Sequence, residues 1–388
     1  MINLYEHQAK FISELRFALR KNKSVLAQAA TGFGKTCVAA YMAKTVSNKN
    51  KYVIFTVHRK ELITQTAKTF KKFGISYGII ASGMSSNPMA KVQIASIDTL
   101  KRRLNKNYNC DLLIIDEAHL SRSAGWTKVV SHFKDRGSFV VGLSGSPCRL
   151  DGKGLGDLFD DMVKGPSMSW LIENKYLSDY RIFSASVKPD MSSVHTIMGD
   201  YNKTELEVIM KNNAIVGDAV NQYKKHANNM KAICFCVSIS HSKCIAASFN
   251  AAGVSAAHID GTTPKADRKE IIRKFALGEF SVLCNVELIT TGFDLAGHVD
   301  MDVTVEAIIL LRPTQSLALH LQMIGRGLRY KKTPAIILDH ALGWTRHGLP
   351  CQDREWSLEG DPKQGKKKDE MEVPIKECPK CYAVHKPA

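Results

Sequence analysis

Ala29-Ala30-Thr31-Gly32-Phe33-Gly34-Lys35-Thr36 follows the apolar run Val25-Leu26-Ala27 and precedes the helix-forming stretch Val38-Ala39-Ala40-Tyr41-Met42. Strand, glycine turn, helix is the order that a nucleoside triphosphate cradle needs. Gly32 and Gly34 let several backbone N–H groups converge on one phosphate, and the helix that follows adds the positive end of its dipole. Residues Ala30, Thr31, Gly32, Phe33 and Gly34 are therefore candidates for holding the phosphates. Lys35 is placed to reach the outer ones, and the Thr36 hydroxyl to hold magnesium. Ala29 stands where the plain P-loop pattern has its first glycine, so the consensus is met imperfectly.

A second element points the same way. Leu112-Leu113-Ile114-Ile115 reads as a buried parallel strand that ends in Asp116-Glu117-Ala118-His119. Acids at the carboxyl end of such a strand sit where open α/β sheets place their ligands. Asp116 suits the outer shell of a magnesium ion, and Glu117 suits the orientation or deprotonation of an attacking water. Taken alone, the pair could equally be two solvated acids at a helix start.

The 388 residues allow two domains and a tail, and a hydrophobic share of 44% with 23% charged residues describes an ordinary globular composition. The formal charge of +17 is less ordinary. It is spread over Lys71-Lys72, Lys101-Arg102-Arg103, Lys224-Lys225 and Lys366-Lys367-Lys368, as suits a long polyanion. No apolar segment approaches the ~20 residues of a membrane span, and the first ten residues contain no signal-peptide core, so no membrane partner and a cytoplasmic location are expected. Most of the ten cysteines are scattered, and Cys234, Cys236 and Cys284 lie in apolar runs as reduced core residues.

Apolar runs alternate with helix-like stretches along the chain, the pattern of parallel sheets wrapped by helices. The expected domains are 1–165, 166–345 and a C-terminal extension, 346–388. Strands are expected at 25–29, 53–57, 92–96, 112–116 and 140–144, then at 182–185, 232–237, 256–259, 281–284, 301–305 and 335–339. Residues 188–216 read as an irregular insertion with one helix. In the second domain, Gln322-Met323-Ile324-Gly325-Arg326-Gly327-Leu328-Arg329 places two arginines on one face if the segment is helical. Charge of this kind is what a phosphoryl-transfer transition state needs. Thr290-Thr291-Gly292-Phe293-Asp294 offers close backbone approach at Gly292 and a ribose acceptor at Asp294.

The glycine loop, the Asp-Glu-Ala-His quartet and the Gln-x-x-Gly-Arg-x-x-Arg segment, in that order, resemble helicase superfamily 2 over roughly residues 1 to 345. The resemblance implies two RecA-like α/β domains in tandem with a short tail, ATP and Mg2+ as ligands, and coupling of hydrolysis to movement on nucleic acid. DNA, single-stranded or branched, is the expected partner; an RNA-directed motor, or an ATP-gated binder that does not unwind, is the alternative. The resemblance also gives Gln8 the reading of adenine, Gln322 the sensing of the γ-phosphate, Arg326 and Arg329 the finger positions, and Gly292 and Asp294 the nucleotide-contacting loop. Arg59, Ser96 and Thr99 become candidates for phosphate contact along the strand. Ser144-Gly145-Ser146 replaces the family's Ser-Ala-Thr block, so that Ser144, Ser146 and the quartet's His119 are expected to couple hydrolysis to movement.

Within the superfamily, Cys148-Arg149-Leu150-Asp151-Gly152, Ile337-Leu338-Asp339-His340-Ala341 and Thr345-Arg346-His347-Gly348-Leu349 are similar to RadD-like helicases, which commonly carry zinc-binding tails. Cys378-Pro379-Lys380-Cys381 supplies half of such a Zn2+ site. The expectation is that further residues, or His385 with an outside group, complete it.

Overall fold

The computed structural model describes residues 2–84, 87–120, 124–147, 149, 152–289, 293, 295–360 and 375–385. These residues form two compact units. The first holds residues up to 167 together with 353–360 of the tail, and the second holds 168–352 together with 375–385.

Unit 1 is a seven-stranded sheet of β1 (Ser24–Gln28), β2 (Val53–Val57), β3 (Tyr77–Ile80), β4 (Val92–Ser96), β5 (Leu112–Ile115), β6 (Phe139–Ser144) and β7 (Asp161–Lys164), in the order β3-β4-β2-β5-β6-β1-β7. All its pairings are parallel. β1, β2, β4 and β5 are buried at every residue, because helices cover both faces of the sheet and leave no solvent side to select polar residues. Helix α1 (Glu6–Lys21) starts with acidic Glu6 and ends with Arg20 and Lys21, charges that match its dipole. Helix α2 (Lys35–Ser47) starts at Gly34, whose φ of 92° is the left-handed conformation that makes the preceding turn possible.

Unit 2 contains β8 (Tyr180–Ser184), a small antiparallel hairpin of β9 (Thr196–Ile197) and β10 (Asp200–Tyr201), then β11 (Ala232–Phe235), β12 (Ala256–Ile259), β13 (Val282–Asn285), β14 (Ala307–Leu310), β15 (Ala335–Asp339), β16 (Lys376–Glu377) and β17 (Ala383–His385). Its sheet runs β12-β13-β11-β14-β15-β8-β17-β16 and is parallel from β12 to β8. Tyr223, Phe249 and Cys234 lie in the core cluster on one face.

Three sequence expectations are corrected. The strand expected at 301–305 forms at Ala307–Leu310 instead, because that run is buried at all four residues, whereas exposed Asp302 and Thr304 interrupt the earlier one. The edge strands β3 and β7 went unseen, since short half-buried strands carry no continuous apolar run. The extension 346–388 is not a body of its own. Leu358 packs on the unit 1 core, where its carbonyl accepts from the Gly156 N–H at 2.9 Å, and β17 adds antiparallel to β8 in unit 2.

Candidate nucleotide site

In unit 1 the chain leaves β1 and turns through Gly32 and Gly34, with φ of 89° and 92°, into α2. Only glycine tolerates the second of these positions, because a Cβ on Gly34 would lie 2.6 Å from Gln8 Nε2. Gln8 is 3% exposed. Its Nε2 donates to the Phe33 carbonyl at 2.8 Å, and its Oε1 accepts from the Tyr5 N–H at 3.1 Å. The amide therefore fastens the start of α1 to the glycine loop. Phe33 enters the site through its backbone, since its ring is buried edge-on to Phe11 and His7.

Lys35 Nζ donates to the Ala29 carbonyl at 3.1 Å and lies 3.5 Å from that of Ala30. These are neutral partners that a phosphate would outcompete for an ammonium. The turn after β6 lies beside this lysine: a Cβ on Gly145 would be 3.4 Å from Lys35 Nζ and 3.5 Å from Thr31 Oγ1. These are ordinary van der Waals distances, so the corner would also accept alanine, the residue usual in the family's block. Gln28 Nε2 holds the turn by donating to the Gly145 carbonyl at 3.1 Å.

The carboxyl end of β5 supplies the acids. The Asp116 N–H donates to the Thr56 carbonyl at 3.0 Å, and the Glu117 N–H to Asp116 Oδ1 at 3.1 Å. Glu117 has a φ of 49°, a left-handed conformation that costs a non-glycine residue roughly 1–3 kcal/mol and clusters at functional sites. His119 Nδ1 lies 3.0 Å from Ser144 Oγ and 3.5 Å from Glu117 Oε2. Ser144 Oγ donates its one hydrogen to the Ser146 carbonyl at 2.8 Å, so towards His119 it accepts and Nδ1 carries the proton. The Ser146 N–H closes the turn on the same hydroxyl at 3.2 Å. A continuous polar path thus runs from the Glu117 carboxylate through His119 to the end of β6, and the four residues are at most 8% exposed.

Burial pushes the Asp116 carboxyl up to about 7, with the Glu117 carboxylate adding to the rise and the Lys35 ammonium opposing it. A divalent cation reverses such a rise, and the Asp116 carboxylate and Thr36 hydroxyl are the hard oxygen donors magnesium takes, so the residues fit that ion. The sign of the pH dependence follows. A carboxyl that holds its proton longer in the folded chain withdraws stability as pH climbs from about 4 to about 7, and its effect is constant above that. Without magnesium, wild type is expected to lose melting temperature relative to Asp116→Asn across this window. A gap between the two that is the same at about pH 5 and about pH 8 would refute the shift.

His58, just beyond β2, is a site residue that the sequence reading missed. Both its ring nitrogens are buried without a hydrogen-bond partner among the described residues, and burial drives its pKa down to about 4 against the pull of Glu117. A neutral imidazole therefore stands near the catalytic candidate. The sequence signal was its position at the end of a buried strand.

The remaining candidates are placed as follows. Arg59 is exposed at the start of the helix Lys60–Lys72. Ser96 and Thr99 are 5% and 3% exposed, so they present little surface to a strand. In unit 2, Gln322 is buried near the end of the helix Leu317–Gly325. That helix stops before the arginines, which corrects the expectation that they share a helical face. Gly327 packs so closely on β14 that a Cβ would lie 2.8 Å from Ile308 Cγ1, and this close approach takes the chain out of the helix. Arg326 Nη1 donates to the Phe293 carbonyl at 2.8 Å, whereas Arg329 is exposed and its carbonyl accepts from Ser178 Oγ at 3.1 Å. Gly292 and Asp294 lie outside the described residues.

Cys378 and Cys381 occupy the turn between β16 and β17, closed by Cys378 N–H to Ala383 carbonyl at 2.9 Å and Tyr382 N–H to Cys378 carbonyl at 2.8 Å. The backbone at Cys381 and Lys380 lowers the Cys378 thiol pKa. Among the described residues no group of three His, Cys, Asp or Glu is placed to hold a metal. His385 does not complete the expected zinc site, because the strand carries it away from the turn to pair with Lys376.

Residues 1–149 match the family model of the type III restriction enzyme res subunit, and residues 210–331 that of the helicase conserved C-terminal domain. The chain is 36% identical over 360 residues to the 51.5 kDa protein of a Lactococcus phage, covering 92% of this chain and 74% of that protein. It is 30% identical over 319 residues to the putative ATP-dependent helicase IRC3 of Saccharomyces cerevisiae, covering 77% of this chain but only 45% of that relative. Among solved structures, the Pyrococcus furiosus Hef helicase domain matches with a TM-score of 0.53 at 17% identity, over 86% of this chain and 97% of that one. The type ISP restriction-modification enzyme LlaBIII bound to DNA matches with a TM-score of 0.63 at 15% identity, over 87% of this chain and 27% of that one. With a glycine loop and acids at the strand ends of one parallel sheet, and a second parallel-sheet unit behind it in sequence, the chain belongs to helicase superfamily 2 and hydrolyses ATP.

Proposed function

We propose that this chain is an ATP-driven motor on DNA, in which the Glu117–His119–Ser144 path couples hydrolysis to movement. That path is the observation that carries the reading, since it ties the water-activating carboxylate to the turn after β6 through two hydrogen-bonding side chains. Magnesium, when bound, shields the phosphate oxygens and draws charge from the leaving group. Asp116 and Thr36 would hold it. Lys35 exchanges its carbonyl partners for the outer phosphates, the glycine-loop N–H groups cradle them, and Gln8 fixes the loop beside the adenine. Glu117 orients the attacking water and takes its proton. Arg326 and Arg329 supply charge to the transferring phosphate and Gln322 senses it by hydrogen bonding, with Gly292 and Asp294 on the nucleotide.

DNA is favoured over RNA because the relatives include the EcoAI type I restriction enzyme endonuclease subunit; the matched structures hold either polymer, LlaBIII with DNA and Dbp5 with RNA. Arg59 is the contact proposed for the strand backbone. The described cysteines are all free thiols, which suits a reducing compartment such as the cytoplasm.

The test is ATP turnover measured with single-stranded, duplex and forked DNA and with matched RNA. Acceleration by DNA above RNA, with strand displacement on the fork, is expected. Preference for RNA would replace the partner, and acceleration with neither movement nor displacement would leave an ATP-gated binder.

A further inference from the structure

On the carboxyl edge of the unit 2 sheet, the segments that follow β8, β14 and β15 line an open cavity of about 490 Å³. Pro189, Met191, Pro313 and Leu342 give it apolar walls, and Tyr201 and Arg346 also line it. The Arg346 guanidinium carbon lies 5.3 Å from the centre of the Tyr201 ring, and Nη2 donates to the Tyr201 hydroxyl at 2.7 Å. Arg346 is exposed and meets no carboxylate among the described residues. The nearby acid, Asp200, is already engaged by Thr314 Oγ1 at 2.9 Å and the Gln315 N–H at 2.7 Å.

One wall is rigid for a reason. The β9–β10 hairpin turns through Met198 and Gly199, with φ of 53° and 83°, the backbone of a tight two-residue hairpin. Besides the Asp200 bonds, Gln315 Nε2 donates to Thr196 Oγ1 at 2.6 Å. The hairpin is thereby fixed to the segment that begins the Leu317–Gly325 helix, which carries Gln322. Its tip leaves Ile197 and Met198 55% and 90% exposed.

An open cavity with apolar walls, beside an aromatic ring and an unneutralised guanidinium, matches one chemistry well: a flat base with an anionic phosphate next to it. We propose that this pocket takes one unstacked base of a bound nucleic-acid strand, laid against the Tyr201 ring beside the Arg346 guanidinium, with Arg346 also holding the adjacent phosphate. The inference rests on the strand-binding reading above and adds a contact to bases that the backbone-tracking motifs do not supply.

Binding of the full chain to a labelled oligothymidylate, and to the same oligomer with its bases removed, tests it by fluorescence anisotropy. Arg346→Lys keeps the charge but loses the plane, so it is expected to weaken the intact oligomer about tenfold while binding the base-free one as wild type does. Tyr201→Ala should behave alike, and Tyr201→Phe, which keeps the ring, should stay near wild type. Equal affinity of wild type and Arg346→Lys for the intact oligomer overturns the pocket, as does an equal loss on both oligomers. If wild type binds neither oligomer and no strand accelerates its ATP turnover, the motor reading fails as well. If strands still accelerate turnover while every variant matches wild type, the pocket alone fails.

Discussion

Lys35→Ala is expected to lower ATP turnover by roughly 100- to 1,000-fold, the effect of removing one pre-placed charge from a transition state that develops charge on phosphate oxygens. The loss of folding stability should be small by comparison. Among the described residues the partly buried ammonium bonds only to the Ala29 and Ala30 carbonyls at 3.1 and 3.5 Å, contacts whose net worth is on the order of 1 kcal/mol or less. The measurement is steady-state phosphate release beside a melting curve. A variant that melts near wild type yet has lost turnover places Lys35 on the nucleotide. One that turns over normally removes the glycine loop from the reaction.

Glu117→Gln should have the second-largest effect, a loss of roughly 100- to 10,000-fold in turnover with ATP still bound, because the amide keeps the shape but cannot accept the proton of the attacking water. The residue is held for that task. Its backbone sits at a φ of 49°, its own N–H is taken by Asp116 Oδ1 at 3.1 Å, and its carboxylate lies 3.5 Å from the protonated Nδ1 of His119. Nucleotide affinity, read with a fluorescent ATP analogue, is expected to change little. Turnover within tenfold of wild type would move the general base elsewhere, with the neutral, half-buried His58 near Glu117 as the next candidate.

Much of this site could be read from the chain because its parts are local. Gly32, Gly34 and Lys35 lie within four residues, and the strand before them and the helix after them are each announced by a continuous apolar run. Asp116 and Glu117 follow Leu112–Ile115 directly. The edge strands β3 and β7, half buried, carry no such run, and neither do β16 and β17 in the tail. The end of the Leu317–Gly325 helix was also out of reach. It depends on how closely Gly327 must approach Ile308, a residue in another strand, and no periodicity in the segment itself records that distance.

What the sequence determined by itself was the kind of chain this is: alternating buried strands and helices, a glycine loop, two acids at a strand end and a polycationic balance. Tertiary structure alone decided which of these touch. His119 and Ser144 are 25 residues apart and meet at 3.0 Å because β5 and β6 pair in parallel register, Ile115 opposite Gly142, so that both chains leave the sheet at the same edge. Gln8 likewise reaches Phe33 only because α1 packs against the sheet strands that deliver the loop. Local pattern fixes each element by burial and backbone preference, but a contact between elements is set by register and packing, which are properties of the assembled sheet.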